Sequence, residues 1–255
     1  MKNKMNYLTT FVVGAFVFVS GVSQSSGQDL AESPVILEST PRSVQDLLAL
    51  EKKLKDVLPR VLPALVCIQL KDSSGSGAIV TETGEIYSAA HVVNPVGTTF
   101  KIVLQDGTEL AGKSSHYDAD SDAGIAIVTE EKLLKSKPLP TVPRAKGLPE
   151  IGEWVFALGH GGGLDKARGP MVRLGRVVSL KGGVIKSDCK LIRGDSGGPL
   201  FNLKGELLGA HSRVGTSLED NVHLPMSMFD DLKKSPPPTA SAKEGDKKVM
   251  PETKS

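Results

Sequence analysis

From residue 64 onward, apolar runs of four to nine residues alternate with short segments rich in Gly, Asp and Ser, which is the pattern of strands joined by turns. Strands are expected over residues 64–70, 77–81, 85–89, 100–105, 124–128, 154–158, 172–180 and 206–212. Asp106-Gly107 stands between Lys101-Ile102-Val103-Leu104-Gln105 and Thr108-Glu109-Leu110, a pairing of turn and flanks that predicts a hairpin. A different period precedes this series. Ser43, followed three residues later by Asp46, has capping-box spacing, and Val44, Leu47, Leu48, Leu54 and Val57 fall on one helical face. A short helix is expected there, ended by Pro59.

Many short strands with almost no helix between them argue for an all-β barrel or sandwich rather than a βαβ fold. No internal repeat is present. The run Gly159-His160-Gly161-Gly162-Gly163 lacks the Gly-Lys-Ser/Thr ending of a phosphate loop and reads as a long surface loop.

The two ends obey other rules. Met1-Lys2-Asn3-Lys4, an apolar stretch from about Tyr7 to Val19 and the small residues after it have the three parts of a secretory leader. That apolar run is shorter than the roughly 20 residues needed to span a bilayer, so no stable membrane anchor is expected after cleavage. Residues 1–27 are thus read as a signal peptide, 28–42 as a linker, 43–232 as the folded domain and 233–255 as a disordered tail. From Lys233 the chain runs Lys-Lys-Ser-Pro-Pro-Pro and stays polar, with too few apolar residues to offset its ordering entropy. Export implies a secreted or periplasmic location.

A formal net charge of +2 over 255 residues, with its cations dispersed, excludes a nucleic-acid groove or a basic membrane face. Export also makes a bridge between Cys67 and Cys189 conceivable, but both lie in core-like segments. Two buried free thiols are the simpler reading.

Gly194-Asp195-Ser196-Gly197-Gly198-Pro199-Leu200 is the segment most specific for chemistry. A hydroxyl is a poor nucleophile unless a base stands within hydrogen-bond reach and donors await the developing oxyanion. Flanking glycines let the backbone turn so that the amides of Gly194 and Ser196 aim at one point. His91, at the end of the strand-like run Tyr87-Ser88-Ala89-Ala90, is the candidate base. His116, His160, His211 and His223 have no metal-ligand spacing and read as surface, loop or barrel positions, so neither a metal nor an organic cofactor is expected. The imidazole needs a buried carboxylate to hold its tautomer. Asp122, just before the apolar run Ala123-Gly124-Ile125-Ala126, fits best, while Asp118 and Asp120 are more simply turn residues.

The order His91, Asp122, Ser196 and the blocks around them resemble the trypsin-like serine peptidases, which implies two six-stranded antiparallel β-barrels. Gly75-Ser76-Gly77-Ala78-Ile79-Val80, Leu104-Gln105-Asp106-Gly107, Asp118 four residues ahead of Asp122, and Ile185-Lys186-Ser187-Asp188 resemble the HtrA (Deg/Do) branch of that group. The similarity runs from about Val61 to Pro225. Asp195 departs from the Asn usual in HtrA proteins and is similar to the chymotrypsin residue instead, yet no Ile-Val-Gly-Gly activation sequence exists here to supply an amine partner. Its expected partner is Arg193 or another group of the loop. HtrA chains also continue into a PDZ domain, and this sequence ends within about thirty residues of the barrel region.

By resemblance, the substrate pocket is expected to be walled by Lys190, Leu191, Ser212, Arg213 and Val214. Lys190 stands where trypsin is acidic, which disfavours Lys or Arg at the cleavage position, while Leu191 and Val214 suit a small apolar residue. The implied function is an exported serine endopeptidase acting on unfolded or flexible polypeptides, and a homo-oligomer is compatible with the sequence. The alternative is a chaperone-like or peptide-binding module using the same groove with negligible turnover.

Overall fold

The computed structural model describes residues 40–235, apart from 216, 218 and 219. The proposed leader, nearly all of the linker and residues 236–255 of the tail lie outside the described residues.

Helix α1 spans Val44–Val61 and begins as the sequence predicts: Asp46 N–H donates to Ser43 Oγ at 3.1 Å and Ser43 N–H donates to Asp46 Oδ2 at 3.2 Å. One expectation for this helix fails, and its apolar face is only partly covered. Pro59 lies inside it, because in the last turn it forfeits only its own bond to the carbonyl of exposed Lys55, which solvent can satisfy. Val44, Leu47 and Leu48 are exposed, whereas Leu50, Val57 and Val61 are buried. From Leu50 onward α1 sends apolar side chains into the core, and near its end Val57 and Val61 press on Gly205.

The first barrel closes in the order β1-β2-β3-β6-β5-β4, formed by β1 (Leu65–Gln69), β2 (Ser74–Ile79), β3 (Glu85–Ala89), β4 (Thr99–Val103), β5 (Glu109–Asp118) and β6 (Ala123–Val128). A short helix α2 (Ala90–Val93) comes after β3, and α3 (Glu131–Ser136) after β6. The Asp106-Gly107 hairpin joins β4 to β5 as expected, with Gly107 at φ 85°, a value only glycine adopts freely.

The second barrel closes in the order β10-β11-β12-β9-β8-β7. Its strands are β7 (Trp154–Gly159), β8 (Met171–Ser179), β9 (Ile185–Ser187), β10 (Pro199–Asn202), β11 (Leu207–Arg213) and β12 (Asn221–Pro225). All pairings are antiparallel, as the resemblance implied. Strands β9, β10 and β12 have three to five residues each and escape period-based reading, since so short a run shows no alternation.

Helix α4 (Met226–Lys234) ties the second barrel back to the first. Phe229 stacks on Tyr87 with ring centroids 4.3 Å apart, and Lys233 Nζ lies 2.7 Å from Glu85 Oε1. Ordered structure therefore reaches past Leu232, because an apolar face at helical spacing, Met226, Phe229 and Leu232, has a surface to cover.

Candidate active site

His91 and Asp122 meet because of register. Strands β3 and β6 pair up to Ala89 opposite Ala123, and beyond that pair the chains part: one turns into α2, the other into the loop before β6. Asp122 is the single non-glycine residue with positive φ among the described residues, at 65°. Such a conformation is uncommon for aspartate and costs free energy, which the surrounding bonds must offset. Ala90 N–H holds the Asp122 carbonyl at 2.7 Å, and His91 N–H holds Oδ1 at 3.0 Å. The twist turns the carboxylate toward the imidazole, whose Nδ1 lies 3.0 Å from both oxygens. Asp118, the last residue of β5, accepts from Asp120 N–H and from Ser121, and Asp120 lies in the turn that follows it.

A third group, unforeseen in the sequence, fixes the carboxylate from the other barrel. Ser212 Oγ donates to Asp122 Oδ2 at 2.5 Å. A register shift in the β11 to β12 pairing between His211 and Arg213 sets Ser212 out of the ladder, and bulges of this kind re-aim side chains. Burial works to raise the Asp122 pKa, but the bonds from His91 and Ser212 hold it below the ordinary carboxylate value. Asp122 is therefore an anion that pairs with an Nδ1–H tautomer of His91, leaving Nε2 as the acceptor.

The serine loop packs against the end of β3. A side chain at Gly197, which has φ 81°, would collide with Ser88 Oγ and the Ser76 carbonyl. Ser76 N–H holds the Ser196 carbonyl at 2.8 Å, and Gly197 N–H donates to the carbonyl of His211, the neighbour of Ser212. Ser196 thus stands at the junction of the barrels with its hydroxyl free of hydrogen bonds to the described residues.

The turn before it has a defined handedness. Asp195 N–H donates to the Ile192 carbonyl at 3.1 Å, and Gly194 has φ 99°, the third-residue conformation of a type II turn. The Arg193 carbonyl accepts from Gly162 N–H at 2.7 Å. In a trans peptide the next N–H points the opposite way, so the Gly194 amide faces away from Gly162. Neither the Gly194 nor the Ser196 N–H donates to any described residue, which leaves two backbone donors available for an oxyanion.

The partner of Asp195 is not Arg193, which is exposed. It is Arg173 on β8, whose Nη2 lies 3.0 Å from Asp195 Oδ2. Arg193 points to solvent because its peptide is spent on the turn, whereas Arg173 approaches from the barrel interior. Burial raises the Asp195 pKa, opposed by the Ile192 N–H at 2.8 Å and the arginine. A lone cation in the apolar run Met171-Val172-Arg173-Leu174 was the available signal.

Residues 159–163 also differ from a plain surface loop. His160 is buried, its Nε2 lies 3.2 Å from Gln105 Nε2, and burial lowers its pKa to about 4. Ser76 Oγ accepts from His160 N–H and donates to the Gly194 carbonyl, both at 2.9 Å.

The expected pocket wall is partly rearranged. Leu191 is 2% exposed and lies in a core cluster with Val155, Ala157 and Leu200, so its side chain is buried rather than at the surface. Ser212 is 4% exposed with its hydroxyl committed to Asp122. Lys190, Arg193, Arg213 and Val214 are exposed, as is Ile192. Cys67 and Cys189 are buried free thiols, without a bridge.

Two closed six-stranded antiparallel barrels define the class of chymotrypsin-like double-barrel proteins. Residues 75–209 match the family described as "Trypsin-like peptidase domain", and the chain belongs to that family. A "Putative serine protease HhoB" of Synechocystis sp. is 34% identical over 152 residues, covering 56% of this chain and 35% of that protein. A "Probable periplasmic serine endoprotease DegP-like" of Rhizobium meliloti is 30% identical over 173 residues, covering 63% and 32%. The chain spans about a third of the length of these curated relatives. The solved structure of the serine endoprotease from Yersinia pestis aligns with a TM-score of 0.60 at 22% identity, over 77% of this chain and 67% of that one, and shares the fold.

Proposed function

We propose that the chain is an exported serine endopeptidase that cleaves unfolded or flexible polypeptides through Ser196, His91 and Asp122. The observation that carries this reading is the bond from His91 Nδ1 to Asp122, which frees Nε2 as an acceptor in a site with two unused backbone donors. Ser196 Oγ attacks the scissile carbonyl carbon while its proton passes to His91 Nε2. The resulting oxyanion is held by the amides of Gly194 and Ser196, and Asp122 stabilises the imidazolium without taking its proton. His91 then protonates the leaving amine, and water repeats the sequence to release the acid. Substrate would lie along residues 212–214 as an added strand, a mode that requires an extended and therefore unfolded or flexible segment. Exposed Ile192 and Val214 give that groove an apolar rim suited to a small apolar residue. Export rests on the leader pattern of residues 1–27 and on the word periplasmic in the names of the DegP-like relatives.

Labelling with a fluorophosphonate tests the reading, since only an activated serine with a formed oxyanion site reacts rapidly. The full chain should label and hydrolyse unfolded casein, and Ser196→Ala should do neither while melting at the same temperature. A wild-type chain that binds casein without labelling would favour the chaperone-like alternative.

A further inference from the structure

We propose that Arg173 is a positioning residue that presets the oxyanion site, so that the site forms with the barrel itself and needs neither a new N-terminus nor an activating peptide. The proposal rests on the peptidase reading above and concerns how that same site is held ready.

Asp195 is the last residue of the type II turn, and its side chain loops back to the first. Its Oδ2 accepts the Ile192 N–H at 2.8 Å while its own N–H donates to the Ile192 carbonyl, so carboxylate and turn are one unit. That carboxylate is 1% exposed. A buried anion without a counter-charge either takes up a proton or moves to water, and either event would release the turn. Arg173 supplies the charge from a side chain 15% exposed at 3.0 Å. It sits within nine-residue strand β8, paired opposite Ala157 of β7, so its position is set by a barrel ladder rather than by a loop or a chain end.

The glycines around the pair support the assignment. A Cβ at Gly159 would stand 2.5 Å from Asp195 Oδ1, and one at Gly161 would stand 2.8 Å from Arg173 Nη2. Gly162 N–H then fixes the Arg193 carbonyl, which sets the direction of the Gly194 amide. The Gly-rich run thus gives clearance for the ion pair on one side and clamps the peptide on the other. A type I turn over the same four residues would have its central peptide reversed, with the Arg193 carbonyl in place of the amide.

A charge-removal cycle on the full chain tests this, with Arg173→Met, Asp195→Asn and the pair together. Arg173→Met should lower kcat and the fluorophosphonate labelling rate by about 100-fold, the scale of losing an oxyanion donor, with KM for a peptide substrate changing less than about threefold. Asp195→Asn should also lose activity, because it strands the arginine. The double variant, with both charges gone and an amide oxygen still able to accept the Ile192 N–H, should recover at least about tenfold over Asp195→Asn. That comparison stands even if Arg173→Met fails to fold. Wild-type kcat in a folded Arg173→Met, or a double variant that is unfolded or no more active than Asp195→Asn, overturns the assignment. An active wild type with an uncoupled cycle removes only Arg173 from its role, whereas a wild type that never labels removes the peptidase reading and this proposal with it.

Discussion

Ser212 Oγ, in the second barrel, donates a 2.5 Å hydrogen bond to Asp122 Oδ2, in the first. The bond spans 90 positions of sequence and makes the orientation of the His91 partner depend on how the two barrels meet. Hydrogen bonds to a charged acceptor contribute about 1.5–3 kcal/mol, or roughly tenfold to 100-fold in an equilibrium. Ser212→Ala should therefore lower kcat by about tenfold to 100-fold while Asp122 keeps its contacts to His91. Ser212→Thr retains a hydroxyl and should recover most of the loss. Steady-state hydrolysis of a peptide substrate checks both, and an unchanged kcat in the alanine variant would show that the bond does not matter to turnover.

Acid should weaken the fold through a buried histidine pair. His211 Nε2 lies 3.2 Å from the Leu158 carbonyl, which makes it a donor; His223 Nδ1, at 2.9 Å, then donates to His211 Nδ1, and Ser187 Oγ, at 2.7 Å, donates to His223 Nε2. Every proton in this chain of bonds is assigned, and a further one on His223 would face only Ser187 Oγ, which already accepts from Cys189 N–H. Burial pushes His223 down to about 3 and His211 well below 6.5, with the neighbouring His223 adding to the latter. As pH falls below about 6.5, the unfolded chain takes up these protons and the native one does not, so stability falls with pH. Each histidine contributes up to about 1.4 kcal/mol per pH unit. Urea unfolding at pH 7.5, 6 and 5 should show this decline, and His223→Gln should make it shallower by about one histidine's share. Asp195, whose pKa is raised, acts with the opposite sign at lower pH.

Both thiols should be inert in the folded protein. Burial pushes Cys67 up to about 11 and Cys189 up to about 12, and the thiolate is the reactive form. A disulfide reagent at pH 8 should titrate neither cysteine until denaturant is added. Rapid modification of the native chain would mean that one of these segments opens to solvent.

Phe229 carries the docking of α4 onto the first barrel through its stack on Tyr87. It is fully buried, and truncating such a ring costs about 3–5 kcal/mol. Phe229→Ala should lower the unfolding free energy by about that amount, measured by urea titration. A loss below about 1 kcal/mol would mean that the helix is dispensable to the fold.

Ser43 with Asp46, the Asp106-Gly107 hairpin, the short-strand spacing and the Gly194 to Leu200 block are all legible in the sequence, because each depends on groups a few residues apart. Capping, turn chemistry and strand period are local, so the residues that create them are near neighbours in the chain. Features beyond that reach were decided by packing. The sequence placed Val44, Leu47 and Leu48 on a helical face but could not say that the barrel stops short of them, leaving them exposed. It marked Asp195 as needing a cation and offered Arg193 by proximity, while the fold brings Arg173 up from β8 instead. Ser212 read as pocket wall and proved to be a partner of Asp122, and the Leu191 side chain went into the core. In each case the side chain answers to a neighbour from a distant strand, and only the closure of two barrels and their mutual docking determines which strand that is.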